Sequence, residues 1–150
     1  MSATCAENFG VTTQPGGEVR QNMGEIIRAK RPLVSIVDDD ESIRESLPDL
    51  LKELGYETQV FSSAAEFLES DSVEKTKCLI LDIAMPGMSG PELQDELKRR
   101  GIAIPVIFIT GQKDDAVRSR MLARGAVECL FKPFSDDSLQ RALNAALLIN

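Results

Sequence analysis

Four polar groups stand directly behind short apolar runs: Asp38-Asp39-Asp40 after residues 33–37, Asp82 after 78–81, Thr110 after 106–109, and Lys132-Pro133 after 127–131. A helix cap needs only one carboxylate, so a run of three leaves a surplus. If that surplus converges with Asp82, the carboxylates raise one another's pKa unless a cation neutralises them. The set therefore points to a hard divalent metal, with Mg²⁺ the best match to all-oxygen donors. Taken singly, Thr110 reads as a strand end and Lys132 as a solvated surface lysine. A lysine fixed between an apolar run and a proline is better explained by an anion to bind. Beside carboxylates, a metal and a hydroxyl, the anion that suits is a phosphoryl group. The chain has no histidine, which removes the commonest general base. Cys5, Cys78 and Cys129 are widely spaced and form no C-x-x-C pair, so neither a zinc site nor a disulfide framework is expected.

The elements that would position these residues are legible from periodicity. The runs at 33–37, 78–81 and 106–109 are uninterrupted and rich in β-branched side chains, the pattern of strands buried on both faces of a parallel sheet. Residues 58–61 and 127–131 are more mixed in polarity and are expected nearer the sheet edges. Between the runs lie helical patterns. The first carries Ile43, Leu47, Leu50, Leu51 and Leu54 on one stripe and ends at Gly55. The second and third open at Ser63 and Ser89, each with Glu three residues later in the capping-box form, and Gly101 and Gly125 close the third and fourth. The fifth starts at Ser135, with Asp136 and Asp137 in its first turn, and buries Leu139, Leu143 and Leu147. Pro48 is a misfit that should kink the first helix or displace its start. Five β-α repeats with short links predict a doubly wound α/β fold with a five-stranded parallel sheet and helices on both faces. Ligands of such sheets bind beyond the C-terminal strand ends, which is where the four polar groups fall.

Composition narrows the function classes. With 150 residues the chain has room for one domain of ordinary size. Residues 1–31 lack sustained periodicity and carry Gly and Pro punctuation, so they are expected to form a mobile tail ahead of a domain over 32–150, with a short helix at 23–31 as an option. A net charge of -7 is a poor match to nucleic acid. No apolar stretch of about 18 residues exists to span a bilayer, and no secretory block precedes the domain, so a cytoplasmic location is expected.

Taken together, Val37-Asp38-Asp39-Asp40, the segment from Leu81 through Asp82 to Ser89-Gly90, Ile109-Thr110-Gly111 and Phe131-Lys132-Pro133-Phe134 resemble the receiver domain of two-component response regulators, from about Leu33 to Leu148. The resemblance implies the CheY-like (βα)5 fold with strand order 2-1-3-4-5. It implies that Asp82 is the phosphoacceptor for a sensor histidine kinase or phosphotransfer protein. Asp39, Asp82 and the Ala84 backbone carbonyl would hold Mg²⁺, with Asp38 acting through a bound water. Thr110 and Lys132 would bind phosphoryl oxygens, Ala84 and Gln112 would tune the lifetime of the phosphorylated state, and the Lys132-Pro133 bond would be cis. Such a domain is a switch rather than an enzyme, catalysing only its own phosphorylation and dephosphorylation.

Departures from the family pattern qualify these expectations. Cys129 stands three residues before Lys132, where the family has an aromatic lever, so switching would run through the backbone around Thr110 and Gly111. Pro48 falls on the first helix, a docking surface in the family. The chain stops soon after the fifth helix, which suggests a stand-alone receiver. The alternatives are the receiver part of a transcriptional regulator without its helix-turn-helix output, or a degenerate protein-binding module. A phosphorylation-dependent homodimer through the fourth helix, fifth strand and fifth helix is a further implied partner. A metabolite phosphatase is disfavoured because Ala84 stands where a general acid would be needed, two residues after Asp82.

Overall fold

A computed structural model describes residues 31–149. The expected tail over 1–31, its optional helix and Cys5 lie outside the described residues, apart from Arg31. Five strands, β1 (Leu33–Val37), β2 (Glu57–Phe61), β3 (Thr76–Asp82), β4 (Val106–Thr110) and β5 (Glu128–Phe131), alternate with five helices. These are α1 (Glu41–Glu53), α2 (Ala64–Glu69), α3 (Gly90–Arg99), α4 (Asp115–Ala123) and α5 (Asp136–Ile149). The strands form one parallel sheet in the order β2-β1-β3-β4-β5. The two runs of mixed polarity, β2 and β5, occupy its edges, where one flank meets solvent and a continuous apolar run is not required.

Successive side chains alternate between the faces of a strand, and the core divides accordingly. Val37, Leu79, Leu81, Phe108 and Cys129 pack with Phe67 of α2, Leu93 and Leu97 of α3, and Val117 and Met121 of α4. Val34, Ile36, Cys78, Ile80, Ile107, Ile109 and Leu130 pack with Leu47 and Leu51 of α1 and Leu139 and Leu143 of α5. Leu147 is half-buried at the margin of this second cluster. The central strands β3 and β4 are covered on both faces, which accounts for their unbroken hydrophobicity.

Local signals set the helix ends. Asp40 accepts a hydrogen bond from the Ser42 amide at 3.0 Å and caps α1. Ser89 and Glu92 complete a reciprocal capping box at α3, with Glu92 accepting from the Ser89 amide at 2.8 Å. At α2 the pattern is modified. Ser63 caps the Glu66 amide, but the Glu66 carboxylate reaches one residue further back to the Ser62 amide, at 2.6 Å. Gly55 follows α1 at φ 100° and Gly125 follows α4 at φ 97°, left-handed conformations that favour glycine. Pro48 lies inside α1, whose first residue still follows directly on the Asp40 cap, so the displaced start does not occur. The cap fixes the first turn, and burial of Leu47 and Leu51 holds the residues around Pro48 on the sheet. No helix among the described residues is long and apolar enough to cross a membrane.

Candidate functional site

The sheet register brings the polar groups to one rim. Val37 pairs with Leu81, so the next residues, Asp38 and Asp82, come abreast at the C-terminal ends of the two central neighbours β1 and β3. Thr110 pairs with Phe131, which puts Lys132 one step beyond β5. Asp38, Asp82 and Lys132 share strand parity with Ile36, Ile80 and Leu130 and so lie toward the α1 and α5 face, while Thr110 has the parity of Phe108.

The carboxylate oxygens of Asp38, Asp39 and Asp82 lie within 4.8 Å of one another. Asp38 is fully buried. Its Oδ1 accepts from the Asp40 amide at 2.9 Å, and its carbonyl accepts from Arg44 at 2.9 Å. Its Oδ2 lies 3.0 Å from the Lys132 ammonium, an ion pair without hydrogen-bond geometry. The same ammonium stands 3.7 Å from Asp82 Oδ1. Burial, reinforced by the Asp38 charge and only partly offset by Lys132, pushes the Asp82 carboxyl up to about 7. For Lys132, burial favours the neutral amine, but its contacts with Asp38 and then Asp82 outweigh it and hold the pKa above the usual value. The rim thus gathers more negative charge than one ammonium balances.

The remaining expected residues stand as follows. Thr110 is buried, and its hydroxyl accepts from the Gln112 amide at 3.1 Å rather than meeting the carboxylates. Ala84 and Gln112 are exposed beside the cluster, on the loops after β3 and β4. Cys129 is buried in the cluster that contains Val117 and Met121 of α4. The Lys132-Pro133 peptide is cis, as expected. This arrangement, at the carboxyl ends of a sheet ordered 2-1-3-4-5, has a direct counterpart among known families: residues 34–144 match the model described as "Response regulator receiver domain".

The chain belongs to the response regulator receiver family.

Its relatives agree. Nodulation protein W of Bradyrhizobium diazoefficiens is 43% identical over 123 residues, covering 82% of this chain and 54% of that protein. Transcriptional regulatory protein FixJ of Azorhizobium caulinodans is 39% identical over 114 residues, covering 76% and 54%. A solved response regulator receiver protein from Burkholderia phymatum superposes with a TM-score of 0.69 at 40% identity, covering 80% of this chain and 98% of that one. The receiver spans about half the length of the curated relatives it matches.

Two positioning residues escaped the sequence reading of this receiver. Arg44 ties α1 to the Asp38 carbonyl, and an exposed-looking arginine in a helix gives no sign of that contact. Gly90 donates to the Ile83 carbonyl at 2.9 Å, and a Cβ at this position would fall 2.3 Å from the Asp82 carbonyl oxygen. The signal was present in Ser89-Gly90, read as a helix start and as part of the family segment but not as a close approach to Asp82. Because the obstruction is backbone, relief requires moving Asp82 itself. Gly90→Ala is therefore expected to lower stability by about 3 kcal/mol in urea denaturation; a loss under about 0.5 kcal/mol would mean the loop yields freely.

Proposed function

We propose that this receiver takes a phosphoryl group onto Asp82 from a phosphohistidine of a sensor histidine kinase or phosphotransfer protein. The observation that carries the reading is the convergence of Asp38, Asp39 and Asp82 within 4.8 Å, with Lys132 3.0 Å from Asp38 and 3.7 Å from Asp82. The lining fits a divalent cation: three carboxylates converge, and the buried Asp38 Oδ2 faces the Lys132 ammonium without a hydrogen bond. Asp39, Asp82 and the Ala84 carbonyl would hold Mg²⁺, with Asp38 acting through a bound water. Bound there, the ion supplies neutralising charge for the phosphoryl oxygens.

The protein's own groups perform the rest. An Asp82 carboxylate oxygen attacks phosphorus, the O–P bond forms as the N–P bond breaks, and the electron pair remains on the donor imidazole nitrogen. Lys132 offsets charge on one phosphoryl oxygen, and Thr110 turns its hydroxyl proton to another. Ala84 and Gln112 flank the approach of hydrolytic water and tune the lifetime of the acyl phosphate.

Intact mass after incubation with Mg²⁺ and a small acyl-phosphate donor tests the reading. One labile phosphoryl adduct that disappears without metal is expected. A folded, Mg²⁺-binding protein with no adduct would overturn phosphoryl acceptance and favour a protein-binding module. The pH dependence of metal binding follows from the raised Asp82 pKa of about 7. Mg²⁺ needs the carboxylate, so its apparent affinity should weaken by about tenfold per pH unit below about pH 7 and level off above it. Calorimetric titration would reveal this, and a flat profile would remove Asp82 from the ligand set.

For output, relatives named as transcriptional regulators support control of transcription, with the face formed by α4, β5 and α5 as the contact or homodimer surface. A stand-alone receiver that passes its signal through surface contacts is the second reading.

A further inference from the structure

The residue with the richest set of contacts outside the site is Arg124, at the C-terminal cap of α4. Its guanidinium donates to the Pro91 carbonyl at 2.9 Å, to Gln94 Oε1 at 3.2 Å and to Asp95 Oδ1 at 2.6 Å. Its own carbonyl accepts from Lys98 at 2.9 Å and, more loosely, from Gln94 at 3.5 Å. Residues 91, 94, 95 and 98 form one i, i+3, i+4, i+7 stripe of α3, so this stripe converges on a single position of α4. Gln94 is 4% exposed, which makes its side chain a buried polar group matched by Arg124 alone among the contacts described.

The opposite end of α4 is held differently. Residues 111–116 are all exposed, and the helix begins on its own Asp114 cap, with the Ala116 amide at 2.9 Å. Thr110 reaches this loop through the Gln112 amide. Of the nine residues of α4 only Val117 and Met121 are buried. Among the described residues, the polar tether from its N-terminal half to the sheet is Arg118, two of whose N–H groups donate to Glu128 Oε1 at 3.2 and 2.8 Å. One partly exposed ion pair between two long side chains follows a displacement more readily than the set of side-chain and backbone contacts made at Arg124.

We propose that Arg124 is a pivot: it pins the C-terminal end of α4 to α3, so that a pull on Thr110 swings the N-terminal end of α4 instead of shifting the helix as a body. The inference rests on the phosphoacceptor reading above, and it supplies a route for the signal where Cys129 offers no aromatic lever. Arg124 acts here as a positioning residue, remote from the reacting atoms.

Amide hydrogen exchange on the full chain, with and without Mg²⁺ and fluoroberyllate as phosphoryl analogue, tests it. The readout amides at the pinned end are Arg124, Gly125 and Ala126, which bond to the carbonyls of Arg120, Leu122 and Met121. Those at the free end are Gln112, Ala116 and Arg118. In the native chain the analogue should change exchange at the free end by at least about tenfold and leave the pinned end unchanged. In Arg124→Ala the change should spread to the pinned end. In Arg118→Ala it should stay at the free end and grow there. A uniform response along α4 in the native chain, or an Arg124→Ala response identical to native, would overturn the pivot. Changes around Asp82 and Ser89 without any in α4 would also overturn it while sparing the phosphoacceptor reading. No change at either place would remove both.

Discussion

Asp82→Asn is expected to abolish the phosphoryl adduct and, at the same time, to make the metal-free protein more stable. Asn keeps the shape of the side chain and removes both the nucleophilic oxygen and a charge that its surroundings oppose. The fold raises the Asp82 pKa from 3.8 to about 7, so between those values the native state holds a proton that the unfolded chain has released. Stability from this group is full below about pH 4, declines as pH rises toward 7, and stays lost above it. The variant should match the wild type near pH 4 and exceed it by about 4 kcal/mol at pH 8 in the presence of a chelator. Saturating Mg²⁺ should then reverse the order, because binding stabilises only the chain that retains the full ligand set. Urea denaturation at the two pH values, with and without Mg²⁺, reads all of this. A variant no more stable than wild type at pH 8 would show that neither burial nor the Asp38 charge opposes ionisation of Asp82.

The sequence carried this site unusually far, and the reason is geometric. In a parallel sheet covered on both sides, a strand is apolar to its last buried residue. The transition from Leu81 to Asp82, or from Ile109 to Thr110, therefore marks the rim of the sheet as clearly as a coordinate. The division of labour within Asp38-Asp39-Asp40 was legible only in part: one carboxylate had to cap α1, and Asp40 does so. That Asp38 is the fully buried one follows from its strand parity with Ile36, which depends on register. Residues that act across long separations left no local signature. Arg124 meets Pro91, Gln94 and Asp95 through tertiary packing, and no helical period of its own announces that stripe. Thr110 was identified by type and place, yet its hydroxyl engages the Gln112 amide, a choice between neighbouring donors that composition cannot decide.

Lys132→Met should give the opposite stability change. Met retains the bulk of an apolar stem while deleting the ammonium that stands 3.0 Å from Asp38 and 3.7 Å from Asp82. The lysine side chain is 18% exposed and that of Asp38 is 0% exposed, so water cannot replace the lost partner freely. Removing one member of a buried pair leaves an uncompensated charge, and a loss of about 3 kcal/mol is expected in chelator at pH 8. At lower pH a proton on Asp82, whose pKa loses the lowering influence of Lys132, takes over part of the neutralisation, and the deficit should narrow. The carboxylates freed from the ammonium should bind Mg²⁺ about tenfold more tightly, since a competing cation has gone. Adduct formation should slow, because one phosphoryl oxygen loses its positive partner. Denaturation and calorimetry on the two single variants and their double mutant separate this account from a packing defect. If net charge governs the rim, adding Asp82→Asn to Lys132→Met restores most of the lost metal-free stability. If the damage came from packing around the methionine, the second substitution would leave that loss in place.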